Sequence, residues 1–336
     1  MKNFLNKNKY YIGALVSLVM LHLSLRGIDP NKLIYYFSVE NLDILFFVII
    51  INVVLRFLIV LRWNKLLDII PANKFVTTFH YTNIGYFANN FLPARLGDII
   101  KSYLLAKKNN YSKTQVFTSA LIERIFDLIG LSVLFFIAIL RYDIPKEILR
   151  GVIVFIGVLS IIILIILIMF KKKEFIDVRL GKISRYEIID FIRKKISSVF
   201  YYLKNYLNIK DILYLFISSA LIWFFYVFAG FIIVERLNGL LSWDASILSL
   251  IFLGVSFILP STPGNIGVHQ FACVLAFGIL GLDKTQAVAF SLYYQIPVIL
   301  LSVVLGLFSI YYERFSVKSI SRLSKEAKPT GLDEAS

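Results

Sequence analysis

The sequence predicts an all-α polytopic membrane protein, with about six full spans and two re-entrant broken-helix hairpins arranged as an inverted repeat. Three observations lead there: long unbroken apolar blocks, a lopsided distribution of basic residues, and short motifs that recur in the same order in two halves of the chain. Of 336 residues, 58% are hydrophobic and 17% charged, with a mean hydropathy of +0.77. A soluble domain is nearer half apolar and a quarter charged. Blocks at 44–55, 131–140, 152–170, 212–234 and 287–310 reach, alone or with their flanks, the roughly 20 apolar residues that cross about 30 Å of hydrocarbon.

Taken in order, Lys2, Lys7 and Lys9 precede the first apolar run. No small-residue cleavage site follows it, so 10–26 is read as a retained first span. Further spans follow at about 42–61, 114–140, 151–170, 211–234 and 285–311. The stretches 75–106 and 245–281 are apolar too, but Pro and Gly break each in the middle. Each is read as a hairpin that enters and leaves on one side. With this topology the inside segments hold 25 of the 36 Lys and Arg and the outside segments 7, the asymmetry expected when both termini are cytoplasmic. The net charge of +15 is then mostly topological, which argues against nucleic acid as a partner. Attraction to an anionic lipid surface is a second reading of it. The segment 171–210, with 11 Lys and Arg, fits an amphipathic helix lying on such a surface and fits a plain linker between the halves equally well. Residues 1–315 are read as one transmembrane domain and 316–336 as a mobile cytoplasmic tail, in a multi-pass protein of the cell membrane.

The repeat rests on three matched pairs. Arg62-Trp63-Asn64-Lys65-Leu66-Leu67 pairs with Arg236-Leu237-Asn238-Gly239-Leu240-Leu241. Leu92-Pro93-Ala94-Arg95-Leu96-Gly97-Asp98 pairs with Leu259-Pro260-Ser261-Thr262-Pro263-Gly264-Asn265. Lys113-Thr114-Gln115 pairs with Lys284-Thr285-Gln286. Each match is weak alone; three in register point to duplication, with repeat one at about 42–140 and repeat two at about 211–311. The topology gives the halves opposite orientation. Inverted repeats with interrupted helices are a transporter signature, with the binding site near midplane where the broken segments meet. The competing reading is that membrane ends everywhere attract Arg, Asn, Pro and Gly.

Proline removes a backbone donor and glycine permits turns closed to other residues. In lipid the freed groups need partners or a wet cavity. Pro93 and Gly97, and Pro260, Pro263, Gly264 and Gly267, are therefore expected to act as hinges inside the protein. A half-helix beginning near Gly97 or Gly267 would turn its amides and positive dipole end toward a cavity, for which anions are the natural ligands. A loop at the membrane surface is the plainer alternative.

The charges sharpen the expectation. Arg56, Arg95, Lys101 and Arg124 remain at membrane depth. Arg124 lies 11 residues past Lys113, about 16 Å along a helix, and an arginine that deep needs a partner. Asp127, three residues on, and Glu123, on the face of Asp127, are the candidates. With Arg95, Asp98 and Lys101 of the first hairpin the set offers three cations and three carboxylates. A carboxylate-held arginine suits a phosphate; a neutral network that locks helices together is the other reading. The second hairpin carries Asn265, His269 and Gln270 instead, His269 being either a packing residue or a titrating group. Asn89 and Asn90 are polar enough to line the same cavity. Arg56 is explained by snorkelling, and the Trp and Tyr residues by interface anchoring. Cys273 is the only cysteine, so no disulfide forms within the chain. No metal-ligand cluster, nucleophile–base pair or phosphate-binding Gly-Lys-Ser/Thr loop is evident, so no cofactor is expected.

The run Asn90-Phe91-Leu92-Pro93-Ala94-Arg95-Leu96-Gly97-Asp98, then Glu123-Arg124 with Asp127, then Pro260-Ser261-Thr262-Pro263-Gly264-Asn265-Ile266-Gly267 resembles the membrane domain of lysylphosphatidylglycerol synthases, over about 10–312. Members without the soluble domain are described as flippase-like. The resemblance implies translocation of a lipid with a phosphate-containing head group, a phospholipid or a polyprenyl-phosphate-linked glycan. It carries over Arg95, Gly97, Asp98, Glu123, Arg124, Asp127, Pro263, Gly264 and Gly267. There are two departures. No long polar domain follows residue 312, so lipid aminoacylation is not implied. Gln270 also stands where the family usually has an acid, so an ion-coupling role is not carried over. An enzyme acting on a lipid phosphate, with Glu123, Asp127 or His269 as acid or base, and a small-solute carrier are the alternative functions.

Overall fold

The computed structural model describes residues 2–70, 73–92, 96–142, 202, 206–237, 242–256 and 262–315, with side chains from residue 13 onward except Pro263. Every element among them is helical. The chain runs through α1 (Lys2–Leu25), α2 (Pro30–Tyr36), a short 3-10 turn (Val39–Asn41), α3 (Leu42–Leu66), α4 (Phe75–Phe91), α5 (Gly97–Asn109) and α6 (Lys113–Arg141). It continues through α7 (Ile209–Leu237), α8 (Ser242–Ser256), a second 3-10 turn (Pro263–Asn265), α9 (Val268–Ile279) and α10 (Lys284–Tyr312). The spans expected at 10–26, 42–61, 114–140, 211–234 and 285–311 fall on α1, α3, α6, α7 and α10. The span expected at 151–170, most of the basic segment 171–210, the tail 316–336, and Pro93, Arg95 and Pro260 lie outside the described residues.

Three stretches, Val39–Leu66, Ile209–Leu237 and Lys284–Tyr312, are long and apolar enough to cross a bilayer. α6 has the length, 29 residues, but carries Glu123, Arg124 and Asp127 along it. The outer faces say what solvent the helices are built for. Exposed large side chains include Phe46, Ile50, Val53 and Phe57 on α3, Leu213, Ile217, Leu221 and Phe224 on α7, and Leu300, Val304, Leu307 and Tyr311 on α10. Each set steps by three or four residues and so lines one helix face. In water such stripes would drive association. Hydrocarbon chains solvate them without cost.

The helices carry out the expected succession twice. A long helix, two short ones separated by a break, and a long helix measure 25, 17, 13 and 29 residues in α3–α6. They measure 29, 15, 12 and 29 residues in α7–α10. The Lys-Thr-Gln match has a local cause. Ser112 caps α6 by accepting from the Gln115 N–H, and Asp283 caps α10 by accepting from the Gln286 N–H. The motif is the start of a capped helix in both places, since a side-chain oxygen satisfies one of the orphan donors there.

The contacts gather into two compact units. One comprises the described residues of Met1–Leu61, Lys74–Leu105 and Leu221–Ser336. In it α10 packs on α4, α9 and α2, α8 packs on α9, α1 packs on α9, and α4 reaches the second 3-10 turn. The start of α10 ties down the N-terminal helices. Lys284 Nζ donates to the carbonyls of Leu23 and Arg26 at 2.7 and 2.6 Å, a cation at the C-terminal end of α1 where the dipole favours it. Tyr293 donates to the Tyr36 carbonyl at 2.7 Å and stacks on Phe37. The other unit comprises Arg62–Asn73 and the described residues of Ala106–Ala220. Its core holds Trp63, Leu66, Val116, Ile122, Phe135 and Leu215, all essentially inaccessible, and Trp63 Nε1 donates to Ser119 Oγ at 3.1 Å.

Close approach at the breaks depends on missing side chains. A Cβ on Gly97 would strike the Gly85 carbonyl oxygen, and one on Gly267, at φ +86°, would strike the Ser17 carbonyl oxygen of α1. Gly278 on α9 has nothing within 4 Å of that position. Gly267→Ala is expected to destabilise by about 2–4 kcal/mol, combining overpacking with a left-handed alanine. Gly278→Ala is expected to be neutral or stabilising by up to about 1 kcal/mol. Thermal melting of the two variants in detergent checks the contrast.

Candidate functional site

Two polar clusters stand out, one in each unit. The first is built on α3, α6 and α7. Arg62, one turn before the end of α3, is 1% exposed. Its Nη2 meets Asp127 Oδ1 at 2.7 Å and Glu123 Oε1 at 3.5 Å, and its Nη1 donates to Ser219 Oγ of α7 at 2.9 Å. Arg124 Nη1 takes the other oxygen of Asp127, at 2.9 Å. Asp127 thus bridges two guanidinium groups, and the four charges cancel formally. Lys65 extends the group, meeting Asp211 of α7 at 2.9 Å and Asp68 at 3.0 Å.

This differs from expectation in one respect. Asp127 does orient Arg124, but Arg124 is the outer cation, its side chain 39% exposed. The buried one is Arg62, which the sequence places just past the end of an apolar block. α3 continues to Leu66, so Arg62 is a helix-interior residue, and Glu123 serves it. The signal for this was the spacing of Glu123 and Asp127, which puts two carboxylates on one face of α6. Those two carboxylates suffice for two arginines.

The second cluster holds the breaks. The described part of break two contains a type II turn: Pro263 and Gly264 are its central residues, Gly264 has φ 74° and ψ 0°, and the Asn265 N–H donates to the Thr262 carbonyl at 2.9 Å. Proline at the second position and glycine at the third are what this turn needs. Around it runs a chain of amides. The Gly267 N–H donates to Gln270 Oε1 at 2.7 Å, Gln270 Nε2 to Gln295 Oε1 at 2.8 Å, and Gln295 Nε2 to the Gly264 carbonyl at 2.6 Å. Ser17 of α1 accepts from the Thr262 N–H at 2.9 Å. At break one the Gly97 N–H donates to Asn89 Oδ1 at 2.8 Å. In both breaks, then, the glycine amide that opens the second half-helix is satisfied by a side-chain amide oxygen from the protein itself. The half-helices do begin at Gly97 and Val268, as the glycines predict, but the glycine N–H at each start is already used.

The remaining candidates are placed as follows. Asp98 and Lys101 lie on α5, their charges 3.9 Å apart, with Lys101 1% exposed. They belong to the first-described unit, and Glu123, Arg124 and Asp127 to the other. Asn90 lies in the last turn of α4, its Nδ2 buried without a partner. Asn265 follows the turn at φ 56°. His269 is buried on α9, its Nδ1 unpartnered and its ring 6.2 Å from that of Tyr294. Arg56 departs from its expected role. It does not snorkel: it is 4% exposed, because Asn83, Ser302 and the face of Tyr86 enclose its guanidinium. Gln295, unremarked in the sequence as a neutral residue in an apolar helix, closes the amide chain. Among the described residues no group of three or more metal-ligating side chains is present.

An all-α bundle with lipid-facing helix stripes, charged residues paired inside it and two broken helices is a polytopic membrane protein. The chain matches the lysylphosphatidylglycerol synthase TM region over residues 10–306, and it belongs to that family. A curated relative, the UPF0104 membrane protein MJ1078 of Methanocaldococcus jannaschii, is 30% identical over 216 residues, covering 62% of this chain and 87% of the relative. No solved structure matches. The chain is thus a membrane protein of a lipid-related family.

Removing Arg62 takes a buried cation from Asp127 and Glu123, so Arg62→Ala is expected to cost about 3–5 kcal/mol. Arg124→Ala, at a half-exposed pair, is expected to cost about 0–1 kcal/mol. Melting of both variants against wild type tests which arginine holds the helices. A double-mutant cycle on Gln270→Ala and Gln295→Ala is expected to show a coupling of about 0.5–1.5 kcal/mol. Strict additivity would show that the amide chain contributes nothing.

Proposed function

We propose that this protein translocates, from one leaflet to the other, a lipid with an anionic phosphate-containing head group, either a phospholipid or a polyprenyl-phosphate-linked glycan. The observation that carries the reading is the doubled helix succession, each copy with a short helix pair broken at proline and glycine. A carrier needs one gate per side of similar construction, and broken helices in paired repeats are how many carriers build them. In this reading α4–α5 and α8–α9 are re-entrant hairpins of opposite orientation within one membrane domain, both termini are cytoplasmic, and the protein resides in the cell membrane. Membership of a family named for lysylphosphatidylglycerol synthases supports a lipid substrate.

The residues assigned to the passage are Asn90, Arg95, Asp98, Lys101, Glu123, Arg124, Asp127, Asn265 and His269. Gln270 acts with Pro93, Gly97, Pro260, Pro263, Gly264 and Gly267 at the hinges, since both ends of its amide are engaged at break two. Arg124 is the head-group contact of choice: Asp127 orients it and its side chain is partly open. A planar fork so held can still donate to phosphate oxygens.

The test is a proteoliposome assay that follows labelled phosphatidylglycerol from the outer leaflet. Wild type is expected to accelerate crossing over protein-free vesicles, and Arg124→Ala to slow it by about tenfold or more, the loss of one charge-assisted hydrogen bond. No acceleration by wild type for any anionic lipid class rejects the reading.

A further inference from the structure

Arg56 is a buried cation that the charged cluster does not use. Every other described arginine or lysine with an exposure as low has a carboxylate within 4 Å: Arg62 has Asp127 and Glu123, and Lys101 has Asp98 at 3.9 Å. Arg56 has none among the described residues. Its neighbours are neutral. Nη1 donates to Asn83 Oδ1 at 3.1 Å, Nη2 donates to Ser302 Oγ at 3.0 Å, and the carbon between them stands 3.6 Å from the centre of the Tyr86 ring. Both acceptors are themselves fixed: Asn83 donates to the Phe79 carbonyl at 2.9 Å and Ser302 to the Val298 carbonyl at 2.7 Å. A guanidinium has five N–H donors, and two of these are used. The site is therefore rigid, positive and short of acceptors.

A second observation lies on the same face of α4. Asn83, Tyr86 and Asn90 are spaced three and four residues apart, and the buried Nδ2 of Asn90 has no acceptor. A buried unpaired charge is costly. Alone, the cation–π contact with Tyr86 offsets only part of that cost. Such a site is stabilised by an arriving anion. Val53 and Phe57, beside Arg56 on α3, face outward, so the neighbouring surface is the one that lipid covers.

We infer that Arg56, framed by Asn83, Ser302 and Tyr86, is an anion-binding site for a phosphate group. The inference rests on the proposed lipid substrate for its source of phosphate, and on the geometry alone for the site. It makes Arg56 a binding residue distinct from those of the neutral cluster of Arg62, Glu123, Arg124 and Asp127.

The experiment is equilibrium binding to the full chain in nanodiscs of neutral phosphatidylcholine, read by thermal melting. Phosphatidylglycerol, further phosphatidylcholine and inorganic phosphate are titrated separately at matched ionic strength. Wild type is expected to show a saturable rise in melting temperature with an anion and none with phosphatidylcholine. A rise with phosphatidylglycerol alone makes the source a lipid head group; a rise with inorganic phosphate as well makes it a free anion. In either case Arg56→Gln is expected to raise the half-saturating concentration about tenfold or more, the loss of a charge-assisted hydrogen bond. Ser302→Asp supplies a resident carboxylate beside Nη2. It is expected to raise the melting temperature without ligand and to abolish the anion-dependent rise, and it carries the test if Arg56→Gln does not fold. Wild-type half-saturation in either variant, or no saturable rise with any anion in wild type, overturns the site. Binding is read without transport. Intact Arg56-dependent binding in a protein that moves no lipid keeps the site and rejects the transport reading, and the reverse result rejects the site alone.

Discussion

A broken helix leaves polar backbone groups without their usual partners, and this constraint organises the structure. Each break frees backbone donors and acceptors that must be met from within. At break one Asn89 reaches from α4 to the Gly97 amide. At break two Gln270 and Gln295 carry hydrogen bonds from the Gly267 amide to the Gly264 carbonyl, and Ser17 takes the Thr262 amide. Those bonds need short distances, and the short distances need glycine. Gly97 lies against the carbonyl of Gly85 and Gly267 against that of Ser17, so the side chains absent at these positions are as much part of the breaks as the amides present. Three further requirements follow: α1 has to pack on α9, α4 has to meet the second turn, and α10 has to carry a glutamine in an apolar face.

Charge is handled in two ways. Around Asp127 two arginines and two carboxylates cancel, and the arrangement joins α3, α6 and, through Ser219, α7 by bonds of 2.7–2.9 Å. A neutral group of this kind specifies helix positions and exerts little pull on a distant anion. Around Arg56 no carboxylate among the described residues cancels the charge.

The fold was legible in the sequence to the extent that it depends on local pattern. Apolar length marked α3, α7 and α10, and Pro and Gly marked both breaks. The capped Lys-Thr-Gln starts fixed α6 and α10 to within a residue, because a capping bond spans only three residues. The candidate site was less legible. Asp127 and Arg124 are three apart on one helix, so their pairing could be read directly. Arg62 sits 61 residues from Glu123 and Arg56 is 246 residues from Ser302. A sequence places such residues by hydropathy alone, which sent Arg62 to a loop and Arg56 to the interface.

What the sequence determined by itself was the solvent and the punctuation: a chain built for lipid, with two helix breaks where backbone groups are released. Only the tertiary structure decided which side chains answer those groups and which cations remain unanswered. Hydrophobic period and turn chemistry act within a few residues along the chain. Burial of a charge or an amide is settled by whatever residues fold against it from anywhere along the chain, and no local pattern records them.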